Sequence, residues 1–254
     1  MKRFNTDQPG YGISSFAGAT GNVQAHMLAL RMAYLPYERT HGRLGTAGAA
    51  SPSLYRKGGK RVLETVLILV SLPFFLPIIA LSALALWLEG GSPFYRQDRL
   101  GRNGARFSIL KLRTMVRDAD LVLEAYLASD PALRREWDDK QKLLKDPRVT
   151  PVGALLRATS LDELPQLWNV LTGEMSLIGP RPMMPDQLPM YGNPAHYFAL
   201  RPGITGLWQV SARNENGFSF RNQVDAVYDT SLTLSGDLTL IFKTIGVMLR
   251  RTGC

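Results

Sequence analysis

Asp162 and Glu163 stand side by side in the run Arg157-Ala-Thr-Ser-Leu-Asp-Glu-Leu-Pro-Gln, where a helix is about to begin. Ser160 and Glu163 have capping-box spacing, and Pro165 equally suits a helix capped by Asp162. Carboxylates so placed can satisfy backbone donors and the helix dipole without doing any chemistry. Their company adds a second reading. Lys111, Arg113, Arg157, Arg181, Arg201 and Arg213 all fall in short motifs bounded by Gly or Pro. Gly179-Pro-Arg-Pro and Arg201-Pro-Gly hold an arginine on a stiff turn. The guanidinium fork suits bidentate phosphate contacts, and a rigid backbone limits the entropy lost in making them. An acidic pair in such surroundings suits a pyrophosphate held beside a carboxylate nucleophile or metal ligand.

Other chemistries find less support. His26, His41 and His196 are scattered without zinc-ligand spacing. Neither a G-x-x-x-x-G-K-[ST] phosphate loop nor a G-x-S-x-G elbow occurs. Trp168, Trp208 and the basic residues near them form no nucleic-acid motif. The sole cysteine, Cys254, ends the chain, so no intramolecular disulfide can form, and it is not four from the end as prenylation requires. The net charge of +9 favours anionic partners, among them nucleic acid, phospholipid and phosphorylated substrates. With 45% apolar residues the chain is not a many-span transporter.

The elements that must position these groups differ sharply along the chain. Residues 1–55 are rich in Gly, Ala, Ser and Thr and read as a flexible extension, with a short helix around Gln24–Ala33 and no signal peptide. The 24 residues from Thr65 to Leu88 carry no charge. As a straight helix they reach about 36 Å, against about 30 Å of hydrocarbon. Pro73 and Pro77 each remove a backbone donor in the middle of this run, and both flanks are basic: Arg56, Lys57, Lys60 and Arg61 before, Arg96, Arg99, Arg102 and Arg106 after. A single span keeps its excess positive charge on one side. The pattern therefore suits a segment that enters, breaks at the prolines and leaves by the same face, alongside the simpler reading of a kinked span.

Beyond it, Phe107–Leu112 is predicted as a strand leading into a helix near Met115. Residues 118–145 are predicted as two solvent-facing helices broken at Pro131, and a further helix is expected near Ala154–Ala158. Leu238, Ile241, Ile245 and Met248 share one helical face with Lys243, Arg250 and Arg251 as polar anchors, which fits either a helix on a membrane surface or one closing the core. The expected fold is α/β, helix-rich with few short strands. It divides into the extension (1–55), a membrane-embedded segment (56–90) and a catalytic domain (91–254).

Several motifs in one order carry a resemblance. Lys60-Arg61 before a proline-broken apolar run, Pro93-Phe-Tyr-Arg-Gln, Phe107 through Arg113-Thr-Met, Asp146-Pro-Arg-Val-Thr, Ser160 through Asn169, Met175-Ser-Leu-Ile-Gly-Pro-Arg-Pro and Arg201-Pro-Gly-Ile-Thr-Gly-Leu-Trp-Gln-Val resemble the bacterial sugar transferases. These are monotopic phosphoglycosyl transferases that start exopolysaccharide or glycan assembly on undecaprenyl phosphate. The resemblance runs from about residue 57 to 251, and the short form is similar to the galactosyl- and glucosyl-phosphate transferases.

The resemblance implies transfer of a hexose-1-phosphate, galactose or glucose, from a UDP-sugar to undecaprenyl phosphate. Asp162 would be the nucleophile and a ligand of Mg²⁺, with Glu163 its partner carboxylate. Lys111, Arg113, Arg157 and Arg181 would hold phosphates; Arg201, Gln209 and Arg213 would contact nucleotide or sugar. It also implies a re-entrant helix-break-helix at Pro73, shared with Pro77, in the bacterial cytoplasmic membrane, with the active site facing the cytoplasm. Membrane lipid is a partner on this reading and nucleic acid is not; a homo-oligomer or polysaccharide assembly proteins would be further partners. Three positions depart from the family pattern: Leu72 replaces the serine before the proline, Glu64 replaces an aspartate, and Tyr228-Asp-Thr-Ser-Leu replaces a more aromatic stretch. A membrane-bound nucleotide-sugar pyrophosphatase and a noncatalytic assembly scaffold are the competing functions.

Overall fold

In the computed structural model, residues 53–140, 143–211 and 218–249 are described. The predicted extension, its short helix, Arg213, Arg250, Arg251 and Cys254 lie outside them, apart from the last three residues of the extension. A π-helical turn, Tyr55–Gly59, leads directly into α1 (Lys60–Leu88), a helix of 29 residues. Helical structure continues through both prolines rather than dividing there. Each proline removes a single donor, so the flanking hydrogen bonds can carry the helix past it.

The rest of the chain is organised by two small sheets. β1 (Phe94–Leu100) and β2 (Arg106–Leu112) form an antiparallel hairpin in which Tyr95 faces Lys111 and Leu100 faces Arg106. β3 (Ser176–Ile178) and β4 (Gly203–Thr205) pair in parallel, with Ser176 opposite Gly203 and Ile178 opposite Thr205. This second pair sets the Gly179-Pro-Arg-Pro segment beside the turn that follows Arg201. The predicted strand over 107–112 is therefore present, but the helix expected near Met115 is not. Met115 instead bridges Val149, and α2 (Ala119–Ser129) starts later. The two expected helices are α2 and α3 (Pro131–Lys140), and α4 (Pro151–Thr159) covers the one expected after them.

Short helices fill the remainder: α5 (Gln166–Thr172), α6 (Leu188–Tyr191), α7 (Ala195–Ala199) and α8 (Leu207–Ser211). The longer α9 (Phe218–Thr230) and α10 (Leu234–Leu249) complete the described chain. Two buried clusters tie α1 to the hairpin. Ile68 packs with Phe107, Ile109, Val170 and Met175, and Leu86 packs with Leu112 and Leu156. Between them the outer face of α1 stays bare, with Val70, Phe74, Leu76 and Leu81 all more than half exposed. In water such a surface would be strongly unfavourable. On the α10 face expected to be apolar, Leu238 and Ile245 are exposed and Ile241 is half-buried, while Leu240, off that face, is buried.

Polar bonds fix both ends of α1 to the same body. At the start, Lys60 pairs with Glu64 at 2.9 Å and Asp237 at 2.6 Å, and Arg61 donates to the carbonyls of Val170 and Leu171. At the end, Arg113 Nη2 donates to Leu86 O and Gly90 O, and Glu89 accepts from Val152 N.

Candidate active site

Asp162 and Glu163 lie on a single 3₁₀ turn, Leu161–Glu163, between α4 and α5. The turn exists because α4 stops at Ser160, which takes a left-handed conformation with φ 56°. Neither expected cap forms: Ser160 offers no side-chain cap, and α5 begins at Gln166 after Pro165 with no carboxylate on its first amides. The acidic pair is thus relieved of the capping duty that its spacing suggested. Leu161 packs with Leu86, Leu112 and Leu156, which seats the turn against both β2 and the end of α1.

β2 delivers Lys111, whose Nζ lies 2.7 Å from Glu163 Oε1. α4 delivers Arg157, whose Nε donates to Thr114 Oγ1 at 2.8 Å. That contact requires α4 to approach the backbone after β2 closely. A Cβ at Gly153 would sit 2.2 Å from Thr114 O, so only glycine permits the approach. Thr150 secures the start of α4 by accepting from Gly153 N and donating its own N–H to Thr114 O.

The two carboxylates are in different states. Glu163 is held by Lys111, whereas no ion pair among the described residues reaches Asp162. Burial pushes the Asp162 carboxyl up to about 6, the negative charge of Glu163 adds to this, and Lys111 and Arg157 counteract it. At neutral pH Asp162 is therefore ionised, desolvated and free of direct cation contact, the condition of a carboxylate able to act as a nucleophile. No three His, Cys, Asp or Glu side chains gather among the described residues. The pair still suits Mg²⁺, which is commonly held by one or two carboxylates together with substrate phosphates.

The remaining predicted cations have other described contacts. The charges acting on Asp162 are those of Glu163, Lys111 and Arg157. Arg181 acts instead on Arg99 and Arg221, whose pKa values fall mainly through burial and then through the nearby Arg181 charge. Arg181, Met183, Tyr191, Trp208, Arg221 and Asp225 line one pocket, with the Arg221 guanidinium 4.3 Å from the centre of the Trp208 ring. Gln209 is buried with both amide atoms unpartnered. Arg201 donates to Gly173 O, and Arg113 holds the end of α1.

Sequence reasoning missed Thr114 and Asn169 as positioning residues, although both fall within the motifs that carry the resemblance. Asn169 is buried, accepts from Leu110 N and donates to Ser108 O and Glu174, clamping α5 to β2. Arg99, Arg221 and Asp225 lie in no motif, and only folding brings them together.

Residues 55–251 match the family model described as Bacterial sugar transferase. The chain is 46% identical over 195 residues to a "UDP-galactose-lipid carrier transferase" of Erwinia amylovora, covering 76% of this chain and 41% of that protein. It is 46% identical to "Exopolysaccharide production protein ExoY" of Rhizobium meliloti, covering 73% and 83%. It is 40% identical to "UDP-glucose:undecaprenyl-phosphate glucose-1-phosphate transferase" of Caulobacter vibrioides, covering 75% and 69%. The chain therefore spans about two-fifths of the length of the Erwinia protein and most of the length of ExoY.

Proposed function

The chain belongs to the bacterial sugar transferase family, and we propose that it moves a hexose-1-phosphate from a UDP-sugar to undecaprenyl phosphate, opening exopolysaccharide or glycan assembly. The observation that carries this reading is the asymmetry of the pair, with Glu163 held by Lys111 and Asp162 half-buried and outside any ion pair among the described residues. The names of the relatives support galactose or glucose as the sugar.

In the first step an Asp162 carboxylate oxygen attacks the β-phosphorus of the donor. The bond from that phosphorus to the bridging oxygen breaks, and UMP leaves with the electron pair. Lys111 and Arg157 stabilise the charge gathered on the phosphoryl oxygens. In the second step a phosphate oxygen of the lipid attacks the same phosphorus, Glu163 takes the lipid phosphate's proton, and the Asp162 carboxylate is released. Mg²⁺, if bound, would be held partly by Asp162 and would neutralise the pyrophosphate charge.

We place this reaction at the cytoplasmic face of the bacterial inner membrane, with α1 re-entrant and bending at Pro73 and Pro77. Support comes from the two ends of α1, which both bond to one body while the apolar face between them is bare. A helix crossing the bilayer would separate its ends by about 30 Å of hydrocarbon. In a Cys254→Ser background, cysteines introduced at Lys57 and Ser92, both exposed, should both label from the cytoplasm. Labelling of the two from opposite sides would overturn the re-entrant path.

The activity test combines full-length protein in nanodiscs, Mg²⁺, undecaprenyl phosphate and a panel of UDP-sugars, with UMP release as the signal. UMP release that depends on lipid and is lost in Asp162→Asn supports the transferase. Release that is equal without lipid, continues through many turnovers and yields free sugar phosphate would instead support a pyrophosphatase. Function that survives Asp162→Ala would support a scaffold.

A further inference from the structure

We propose that a cleft at the end of α1 binds the phosphomonoester head of the lipid acceptor, through Arg113 and Arg117. The cleft measures about 380 Å³ and is lined by Glu89, Gly90, Arg113, Val116, Arg117 and Thr150. Deepening the transferase reading, this assigns the acceptor a place separate from the Arg181–Arg221 pocket.

The two guanidinium groups converge. A Cβ built on Gly91 would lie 2.3 Å from Arg113 Nη1 and 2.6 Å from Arg117 Nε, so both reach the same point over a bare backbone. Gly91 has φ 103°, a conformation that side chains disfavour, and this keeps the point open. Like charges brought so close call for an anion between them. The cleft's carboxylate, Glu89, accepts from Val152 N. Arg113 Nε is buried without an acceptor, and no ion pair among the described residues involves Arg117. Against two guanidinium groups the lining of the cleft offers one carboxylate, Glu89, so an excess of positive charge faces the cleft.

The surroundings favour a phosphate attached to an apolar chain. Trp87 and Leu88, 62% and 72% exposed, end α1 next to the cleft and continue its bare apolar face. A soluble nucleotide has no use for such a neighbour, whereas an isoprenoid tail does. A phosphomonoester carries about −1.5 to −2 at pH 7, matching two guanidinium groups better than the single charge of a phosphodiester headgroup. The cleft also adjoins the reacting residues. Arg113 precedes Thr114, which receives the Arg157 hydrogen bond, and Leu161 of the acidic turn packs on Leu86. A phosphate held here lies beside the turn that presents Asp162.

The test measures binding without donor, using full-length protein in detergent and calorimetric titration. Ligands are a fifteen-carbon isoprenyl phosphate, the parent isoprenol, inorganic phosphate and phosphatidylglycerol. Arg117→Gln, which disturbs no hydrogen bond of the fold, should weaken isoprenyl phosphate about tenfold, with partial recovery in Arg117→Lys. The isoprenol should not bind measurably, and phosphatidylglycerol and inorganic phosphate should compete poorly. In turnover, the same variant should raise KM for polyprenyl phosphate about tenfold while KM for the UDP-sugar moves less than twofold. An unchanged affinity in Arg117→Gln overturns the proposal, as does equal binding of phosphatidylglycerol, which would make the cleft a general headgroup contact. A protein that binds the isoprenyl phosphate through Arg117 but transfers no sugar leaves this site standing and defeats the transferase reading. A working transferase whose lipid KM ignores Arg117 does the reverse.

Discussion

Two places where carboxylates meet lysine are built oppositely. At the start of α1, Glu64 accepts from Lys60, Ser176 Oγ and Ile178 N, and Asp237 accepts from Lys60, Tyr55 and Tyr228. Every charge there is spent on holding α1 to β3 and α10. On the 3₁₀ turn, Glu163 has Lys111 while Asp162 has no ion pair. Burial differs between the two places, Glu64 and Asp237 being 4% and 2% exposed and Asp162 and Glu163 half-buried. Satisfaction differs as well: a saturated carboxylate anchors, and one left short of partners can react.

The strongest way to break this contrast is to remove one charge at each place. Asp162→Asn should abolish lipid-dependent UMP release, a loss beyond about 10³-fold, while the melting temperature at pH 7.5 holds or rises slightly. Lys60→Met should act on stability instead. Two buried acids lose their partner, at a cost of about 3 kcal/mol or more, read as a lower unfolding midpoint in detergent. If Asp162→Asn melts the protein, or Lys60→Met leaves its stability intact, the contrast fails.

Smaller effects sharpen it. Arg157→Gln should lower kcat/KM for the UDP-sugar by about 10- to 100-fold, with stability nearly unchanged because its guanidinium bonds a neutral hydroxyl, Thr114 Oγ1. The Asp162 carboxyl, raised to about 6 in the folded chain, must lose its proton to attack. Donor kcat/KM should therefore fall as pH drops through 6, by about tenfold at pH 5. The same raised value makes the fold bind a proton that the unfolded chain releases between about pH 4 and 6. The stability contribution of Asp162 thus declines as pH rises across that window while activity climbs.

Asp225 gives the smallest expected effect. It is buried, receives the Tyr191 hydroxyl, and burial pushes it up to about 7. By the same sign, its stabilising contribution is present below about pH 4 and lost as pH rises to 7. Asp225→Asn should remove that slope, a change of a few degrees in melting temperature between pH 5 and 7.

Much of this was legible in the chain itself. The charge-free run from Thr65 to Leu88, the strand before Arg113, the helices on either side of Pro131 and the adjacency of Asp162 and Glu163 are all local facts of residue order. Local physics, namely hydrophobic periodicity, proline stereochemistry and turn chemistry, is enough to read them. The errors were local as well. Ser160 and Glu163 have capping spacing, yet Ser160 is left-handed and ends α4. The stretch near Met115 does not begin a helix because Met115 pairs with Val149 across the excursion that holds α2 and α3.

Sequence alone determined which residue types could do chemistry and that one segment is apolar enough for a membrane, since composition and spacing are properties of the unfolded chain. Only the tertiary structure decided which charges meet. Lys111 reaches Glu163 across 52 positions and Lys60 reaches Asp237 across 177, while Arg181 joins Arg99 and Arg221 rather than the acidic pair. An ion pair depends on distance and desolvation in space, and neither is written in the order of residues.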